Sequence, residues 1–387
     1  MYDAIIIGGG PAGSTLGRKL SKEGYKVLLI EKHVFPRYKA CGGGITKRCY
    51  KLLDIDISQY VEDITNEIIF KFPNGKQTVL QTGEPIIYQV DRTKFDKYLI
   101  DKAAYYGCEI HDGELFYDFY QHDKGLVVVT DRGEYETKVL VGADGINSNV
   151  AHKANLINGK KGIALEGEVY VDNSLIDGLK GKVVVDFNAI RYGYGWVFPK
   201  GDRLSIGVGT FLNKVSNIKE MLSKMIEENV DRNIKDCKIY GHQLSFPDGS
   251  DGVFNNDRII LIGDATRLAD PFTGEGIYNA LLTADISFDV LKKHFSGECG
   301  LDEYTLRLNR EVVPDVGWAY RLAQFTYNNM DFIEKSVRYF PNVLSYFVDI
   351  MMGDNTYKNF KLKVPMYSLR VMTSKTKIKV EKKRVMK

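Results

Sequence analysis

The stretch Asp3-Ala-Ile-Ile-Ile-Gly8-Gly-Gly10-Pro-Ala-Gly13 stands almost at the start of the chain. Its apolar run reads as a short buried strand, and its glycines as a turn into a helix that runs to about Glu23. A second strand, Lys26–Ile30, completes a βαβ unit. Gly8 permits the tight turn, Gly10 lets the backbone approach a pyrophosphate, and Gly13 lets the helix pack close to the strand. Ala12 belongs to the same turn. Free N–H groups at the helix start favour phosphate. Glu31 ends the second strand, 18 residues past Gly13. Its carboxylate can accept hydrogen bonds from both ribose hydroxyls of an adenosine, and it would repel a 2′-phosphate. The spacing predicts a resident dinucleotide of the FAD or NAD type rather than NADP.

Two later segments favour FAD. Val141-Gly-Ala-Asp144-Gly145 ends one strand, and Arg258-Ile-Ile-Leu-Ile-Gly-Asp264 ends another. A carboxylate at such a strand end can hold a ribityl hydroxyl. Pro271-Phe-Thr-Gly274-Glu-Gly276-Ile277 then opens a helix. Its bared N-terminus can face a ring and favour the negative charge of a reduced flavin. A plain NAD dehydrogenase has no need of this element.

Between these segments the pattern changes. Residues 66–88 alternate around the turn Pro73-Asn-Gly75 and predict an antiparallel hairpin. Thr93–Tyr106 reads as a helix, 125–142 as strands, 163–210 as β-rich, 218–229 as an amphipathic helix, and the chain beyond about 302 as mostly helical. The expected fold class is α/β. A Rossmann-type FAD-binding domain (1–60, 89–155 and 251–295) is interrupted by an antiparallel β-sheet substrate domain (61–88 and 156–250). A helical C-terminal region with a basic tail follows (296–387).

The chain has 387 residues, more than one hydrophobic core usually serves, so two or three subdomains are expected. Five scattered cysteines with no CxxC argue against a disulfide framework and for a reducing cytoplasm. The six histidines form no ligand motif, so no metal is expected. No window approaches about 18 uninterrupted apolar residues, and no signal peptide is read. The net charge of +3 hides an asymmetry: residues 358–387 carry 11 Lys/Arg and one acid. Either that terminus is a solvated tail, or residues 375–387 meet an anionic membrane peripherally. No nucleic-acid motif accompanies it.

Two more segments carry chemistry. In Pro36-Arg37-Tyr-Lys39-Ala-Cys41-Gly42-Gly43-Gly44, basic residues and exposed backbone N–H groups can stabilise a thiolate at Cys41, or the cysteine is simply a small buried residue. In Tyr192-Gly-Tyr194-Gly-Trp196-Val-Phe198-Pro199, the aromatic residues alternate and so share one strand face, either as sheet core or as a binding wall.

The dinucleotide segments resemble flavoproteins of the p-hydroxybenzoate hydroxylase fold over most of residues 1–295. The Cys41 and aromatic segments, with Gly207 beyond, resemble the geranylgeranyl reductase family within that fold. The resemblance implies an FAD-dependent reductase that saturates isoprenoid C=C bonds by hydride transfer from reduced flavin. It places Cys41, Gly43, Tyr194 and Trp196 in the active site, Cys41 beside the flavin. Cofactor contacts would come from Gly8, Gly10, Ala12, Gly13, Glu31, Arg37, Cys41, Gly42, Arg92, Asp144, Gly145, Asp264, Gly274, Gly276 and Ile277. Arg92 belongs to Val90-Asp-Arg92-Thr-Lys-Phe95, which fits the family and offers a charge-assisted donor. The family usually has proline where this chain has Arg191, which faces either outward or a polar headgroup. With one dinucleotide fingerprint, NAD(P)H or a ferredoxin would reduce the flavin transiently. The substrate is an isoprenoid lipid and the location cytoplasmic or peripheral to a membrane. Rival readings are a flavin-dependent monooxygenase or halogenase, an electron carrier to membrane quinone, and a lipid-binding flavoprotein without turnover.

Overall fold

The computed structural model describes residues 1–157, 159–212, 215–230, 234–247, 250–340, 343–359 and 377–379. They pack as two units. The first holds residues 1–39, 93–160 and 245–320, the second 40–92, 161–244 and 321–387.

The first unit is built on five parallel strands in the order Ile259–Leu261, Glu134–Gly142, Tyr2–Ile7, Val27–Glu31 and Glu109–Asp112. From Ala4 to Ile7 the opening strand is apolar without interruption, because both its faces are buried there. Ala4 and Ile6 lie in a core with Leu16, Leu20, Ala284 and Leu291 from the helices Pro11–Lys22 and Ile277–Phe295. Ile5 and Ile7 pack on the other side with Phe116, Leu126 and Val150. The strands end together. Gly8 N donates to Ile30 O at 2.8 Å, Ala143 N to Ile7 O at 2.7 Å, and Ile262 N to Gly142 O at 2.9 Å. The predicted glycine turn, Asp144 and Asp264 therefore lie at one edge of one sheet, where parallel α/β sheets bind ligands.

The second unit carries a sheet in the order Asp236–Phe246, Lys160–Tyr170, Arg203–Thr210, Gly193–Pro199, Lys182–Asp186, Glu67–Lys71, Gln77–Gln81 and Lys377–Lys379. On one face Val169, Val184, Val197, Leu204, Ile206 and Val208 pack against Leu222, Met225 and Ile226 of the helix Ile218–Asn229. On the other, Ile68, Leu80 and Val183 meet Val337, Leu344, Val348 and Met351 from the helices Met330–Tyr339 and Val343–Met352. A three-stranded sheet, Gly44–Thr46, Ile87–Val90 and Val61–Thr65, follows the cysteine segment.

The hairpin predicted at 66–88 is present as Glu67–Lys71 and Gln77–Gln81, with Gly75 at φ +75° in its turn. The helix at 218–229 falls where its periodicity puts it. One expectation fails. Tyr192 does not share the strand face of Tyr194, because it sits in the left-handed region at φ +52° and the strand begins only at Gly193. Thr210 Oγ1 holds this corner by donating to the carbonyls of Arg191 and Tyr192, at 2.9 and 3.0 Å. Most of the basic tail lies outside the described residues; Lys377–Lys379 pairs antiparallel with Gln77–Gln81.

Candidate functional site

In the first unit the glycine turn is shaped by near-contacts. A Cβ on Gly13 would lie 2.0 Å from Gly8 O, and one on Gly8, at φ +110°, 2.3 Å from Ala143 O. Gly10 differs: a Cβ there meets nothing nearer than Arg37 Nη2 at 3.9 Å. The backbone at the start of helix Pro11–Lys22 is thus open on the side that faces a guanidinium, which suits a diphosphate. Arg37 is aimed by Asp96, whose Oδ2 accepts from Nη1 at 3.0 Å, and it stacks over Phe35. Buried Glu31 accepts from Gly9 N at 2.9 Å and His33 N at 3.0 Å, so it also braces the turn.

The two later carboxylates differ in their commitments. Asp144 accepts from Asn149 N at 2.7 Å, Val150 N at 3.3 Å and the Ser148 hydroxyl, tying Gly145 to the helix Asn149–Lys153. Burial pushes its carboxyl up from the ordinary range, against the pull of those hydrogen bonds. Among the described residues the Asp264 side chain has no hydrogen-bond partner, and Oδ1 lies 3.2 Å from the Cβ position of Gly276. It is half-buried and can accept from a ligand hydroxyl. Gly274, at φ +71°, and Gly276 precede helix Ile277–Phe295, and Ile277 is buried. The open Gly10 face, Glu31 and the unengaged Asp264 fit FAD.

The second unit brings together the other expected residues. Gly43, at φ +78°, donates its N–H to Cys41 Sγ at 3.4 Å, and a Cβ on Gly43 would meet Val90 O at 2.2 Å. The Cβ position of Gly42 lies 2.9 Å from Phe198 Cδ2 and 3.3 Å from Trp196 Nε1. Gly42 and Gly44 therefore rest on the aromatic strand Gly193–Pro199 because they have no side chains to hold them off. Tyr194, Trp196 and Phe198 are half-buried while Gly193, Gly195, Val197 and Pro199 on the opposite face are buried. The Trp196 indole lies on Gly207, whose Cβ would come within 2.0 Å of it. Arg92, buried, opens the helix Arg92–Tyr105. Arg191 is exposed, its guanidinium 5.3 Å from the centroid of the Tyr192 ring, so the departure from the family pattern faces outward.

Sequence reasoning missed a buried polar cluster on the Trp196 face. Lys200 Nζ lies 2.7 Å from Glu168 Oε1 and 3.8 Å from Glu166 Oε1. Arg203 pairs with Glu168 and Asp91. Trp196 Nε1 donates to Ser205 Oγ at 3.1 Å, and Ser205 Oγ donates to Glu166 Oε1 at 3.0 Å. Burial, abetted by the Glu168 charge and opposed by Lys200, pushes the Glu166 carboxyl up to about 7. Locally the sequence offers only that Glu166 and Glu168 are spaced i, i+2 in one strand, which sends both to one face. Asp270 was missed too; its Oδ1 accepts from Phe272 N at 2.8 Å and Thr273 N at 3.1 Å, shaping the loop before Gly274. Among the described residues no metal-ligand cluster occurs.

Residues 1–187 match a family described as FAD binding domain. An uncharacterized protein of Methanosarcina barkeri is 31% identical over 85% of this chain and 84% of its own length. The digeranylgeranylglycerophospholipid reductase of Methanosarcina acetivorans is 28% identical over 78% of each chain. The geranylgeranyl diphosphate reductase of Rhodobacter capsulatus is 30% identical over 72% of each. Among solved structures, a geranylgeranyl bacteriochlorophyll reductase-like protein of Thermoplasma acidophilum superposes with a TM-score of 0.75 at 24% identity, over 84% of this chain and 87% of its own. The flavin-dependent brominase Bmp2 gives 0.72 at 19%, over 95% and 99%. The two superpositions show the fold, which reductases and halogenases share. The sequence relatives show the family: the chain is an FAD-dependent oxidoreductase of the geranylgeranyl reductase family.

Proposed function

We propose that this protein saturates C=C bonds in geranylgeranyl chains carried by lipids or other prenyl compounds. The observation that supports this most is the aromatic face of the second unit. Tyr194, Trp196 and Phe198 stand half-buried on one side of a strand, with Gly42 and Gly44, which follow Cys41, laid against this wall. Such a wall offers rings and a bare backbone to a flat, branched hydrocarbon, while the charged groups on the same sheet face, Glu166, Glu168, Lys200 and Arg203, are buried.

On this reading FAD is held in the first unit by Gly8, Gly10, Ala12 and Gly13, with Glu31 on the adenosine ribose and Arg37 on the pyrophosphate. Asp264 takes a ribityl hydroxyl, and Gly145, Gly274, Gly276 and Ile277 present backbone. Bound and reduced, FAD supplies the hydride that an isolated alkene needs at one carbon. The chain must deliver the proton to the other. On this reading Cys41 does so: its thiol gives up the proton, and the Gly43 N–H that donates to Sγ stabilises the thiolate left behind. The aromatic wall excludes water and fixes the chain, which matters because hydride acceptance by an unactivated alkene depends on alignment. The single dinucleotide fold leaves NAD(P)H or a ferredoxin to act as a transient donor.

The substrate would be met at a bilayer. On helices Val313–Asn328 and Met330–Tyr339, and at Phe340 just past the second, Phe325, Phe332, Tyr339 and Phe340 are 49, 58, 70 and 65% exposed, beside exposed Arg321 and Lys335. Rings and cations together suit an anionic lipid surface. Among the described residues no helix is long and apolar enough to cross a membrane.

The test is incubation of the FAD-loaded, chemically reduced protein with digeranylgeranylglycerophospholipid in the absence of oxygen. The reading predicts products heavier by one H₂ per bond saturated. Recovery of unchanged lipid overturns it. Product that forms only with oxygen, and carries oxygen or halogen, assigns the chain to the rival chemistry.

A further inference from the structure

We propose that Glu166 is a positioning residue for the aromatic wall: through Ser205 its carboxyl group holds the Trp196 indole against Gly42 and Gly207. The linkage is continuous and buried. Trp196 Nε1 donates to Ser205 Oγ at 3.1 Å, and Ser205 Oγ donates to Glu166 Oε1 at 3.0 Å. Glu166 is 3% exposed and Ser205 0%. No other hydrogen bond of the Trp196 indole occurs among the described residues, so Ser205 is its one polar tether. The ring has little slack, since its six-membered part sits within 2.0 Å of where a Gly207 Cβ would be.

The same geometry makes the wall responsive to protonation. Around the buried Glu166 and Glu168 stand the half-buried Asp91 and the exposed Asp202, four carboxylates against the two cations Lys200 and Arg203, and charge balance favours a proton on one of the buried pair. Arg203 grips Asp91 and Glu168, and Lys200 lies 2.7 Å from Glu168 but 3.8 Å from Glu166, so Glu166 is the least paired. Burial and the neighbouring Glu168 charge raise it to about 7. From the flanking strand Asp236–Phe246, alternation sends Lys238, Tyr240 and His242 to the same face. Ionised, Glu166 is a charge-assisted acceptor for Ser205; protonated, it is a weaker one. The indole N–H at the end of the chain should feel the difference.

The chain has two tryptophans, so the measurement is simple. The indole ¹⁵N–¹H resonance of Trp196, assigned by its loss in Trp196→Phe, is followed across neutral pH in the full-length, FAD-loaded protein. One inflection near 7 is expected in the wild type. It should disappear in Glu166→Gln and also in Ser205→Ala, which cuts the link without changing any charge. Should Glu166→Gln fail to fold, Ser205→Ala carries the test alone, with Trp318 reporting on folding. An indole that does not titrate, or that still titrates in Ser205→Ala, overturns the proposal. No turnover is needed, so a failed reductase assay leaves this result standing.

Discussion

Cys41 and Gly207 show how the second unit uses small residues. Cys41 has one backbone donor on Sγ. If its thiol is the proton source, Cys41→Ala lowers kcat by roughly 10²-fold, the usual worth of a general acid. Bound FAD, read from the visible spectrum, stays at its wild-type level. An unchanged kcat assigns Cys41 to packing. Gly207→Ala puts a methyl where the Trp196 ring lies, so either the ring or the strand must move. Overpacking of this kind costs about 1–3 kcal/mol, visible as a lower urea midpoint, and it raises KM for the prenyl lipid as the wall tilts. At this scale the sequence was legible where a backbone requirement is local. Gly8, Gly10, Gly13 and Glu31 announce themselves within one βαβ unit. Glu166 does not, because Ser205 is 39 residues away and only strand pairing brings them together.

The strands Lys160–Tyr170 and Arg203–Thr210 carry Glu166, Glu168 and Arg203 of the charge cluster, and the cost of burying them belongs to this element pair. The sign of the pH effect follows from the direction of the Glu166 shift. The folded chain holds the Glu166 proton more tightly than the unfolded chain does. Between the unfolded value and about 7 the native state therefore binds more protons, so stability falls as pH rises through that window and levels off above it. Glu166→Gln should flatten that slope in urea unfolding measured at successive pH values. A slope that survives the substitution places the titrating group elsewhere. The helix Ile218–Asn229 and the hairpin at 67–81 were legible because amphipathic spacing and a Pro-Asn-Gly turn are local signals. The corner at Tyr192 was not. Alternating aromatic residues suggested a longer strand, but the left-handed turn at Tyr192 is fixed by Thr210 on the neighbouring strand.

For the whole molecule, family membership rests on the sequence relatives, which span both units. The dinucleotide cradle was readable because its segments keep their order along the chain. Phe325, Phe332, Tyr339 and Phe340 fall in the stretch expected to be mostly helical, and spacing alone does not tell a docking surface from a core; their exposure does. If they meet lipid, Phe332→Ser with Phe340→Ser reduces co-sedimentation with vesicles containing anionic lipid, and added salt weakens the wild type as well. Equal binding by wild type and variant removes the patch from the account. The most direct test of the central claim is optical. The purified, FAD-loaded protein is reduced under strict exclusion of oxygen and mixed with digeranylgeranylglycerophospholipid. The account predicts return of the oxidised-flavin absorbance in step with appearance of saturated lipid; a flavin that stays reduced until oxygen is admitted contradicts it.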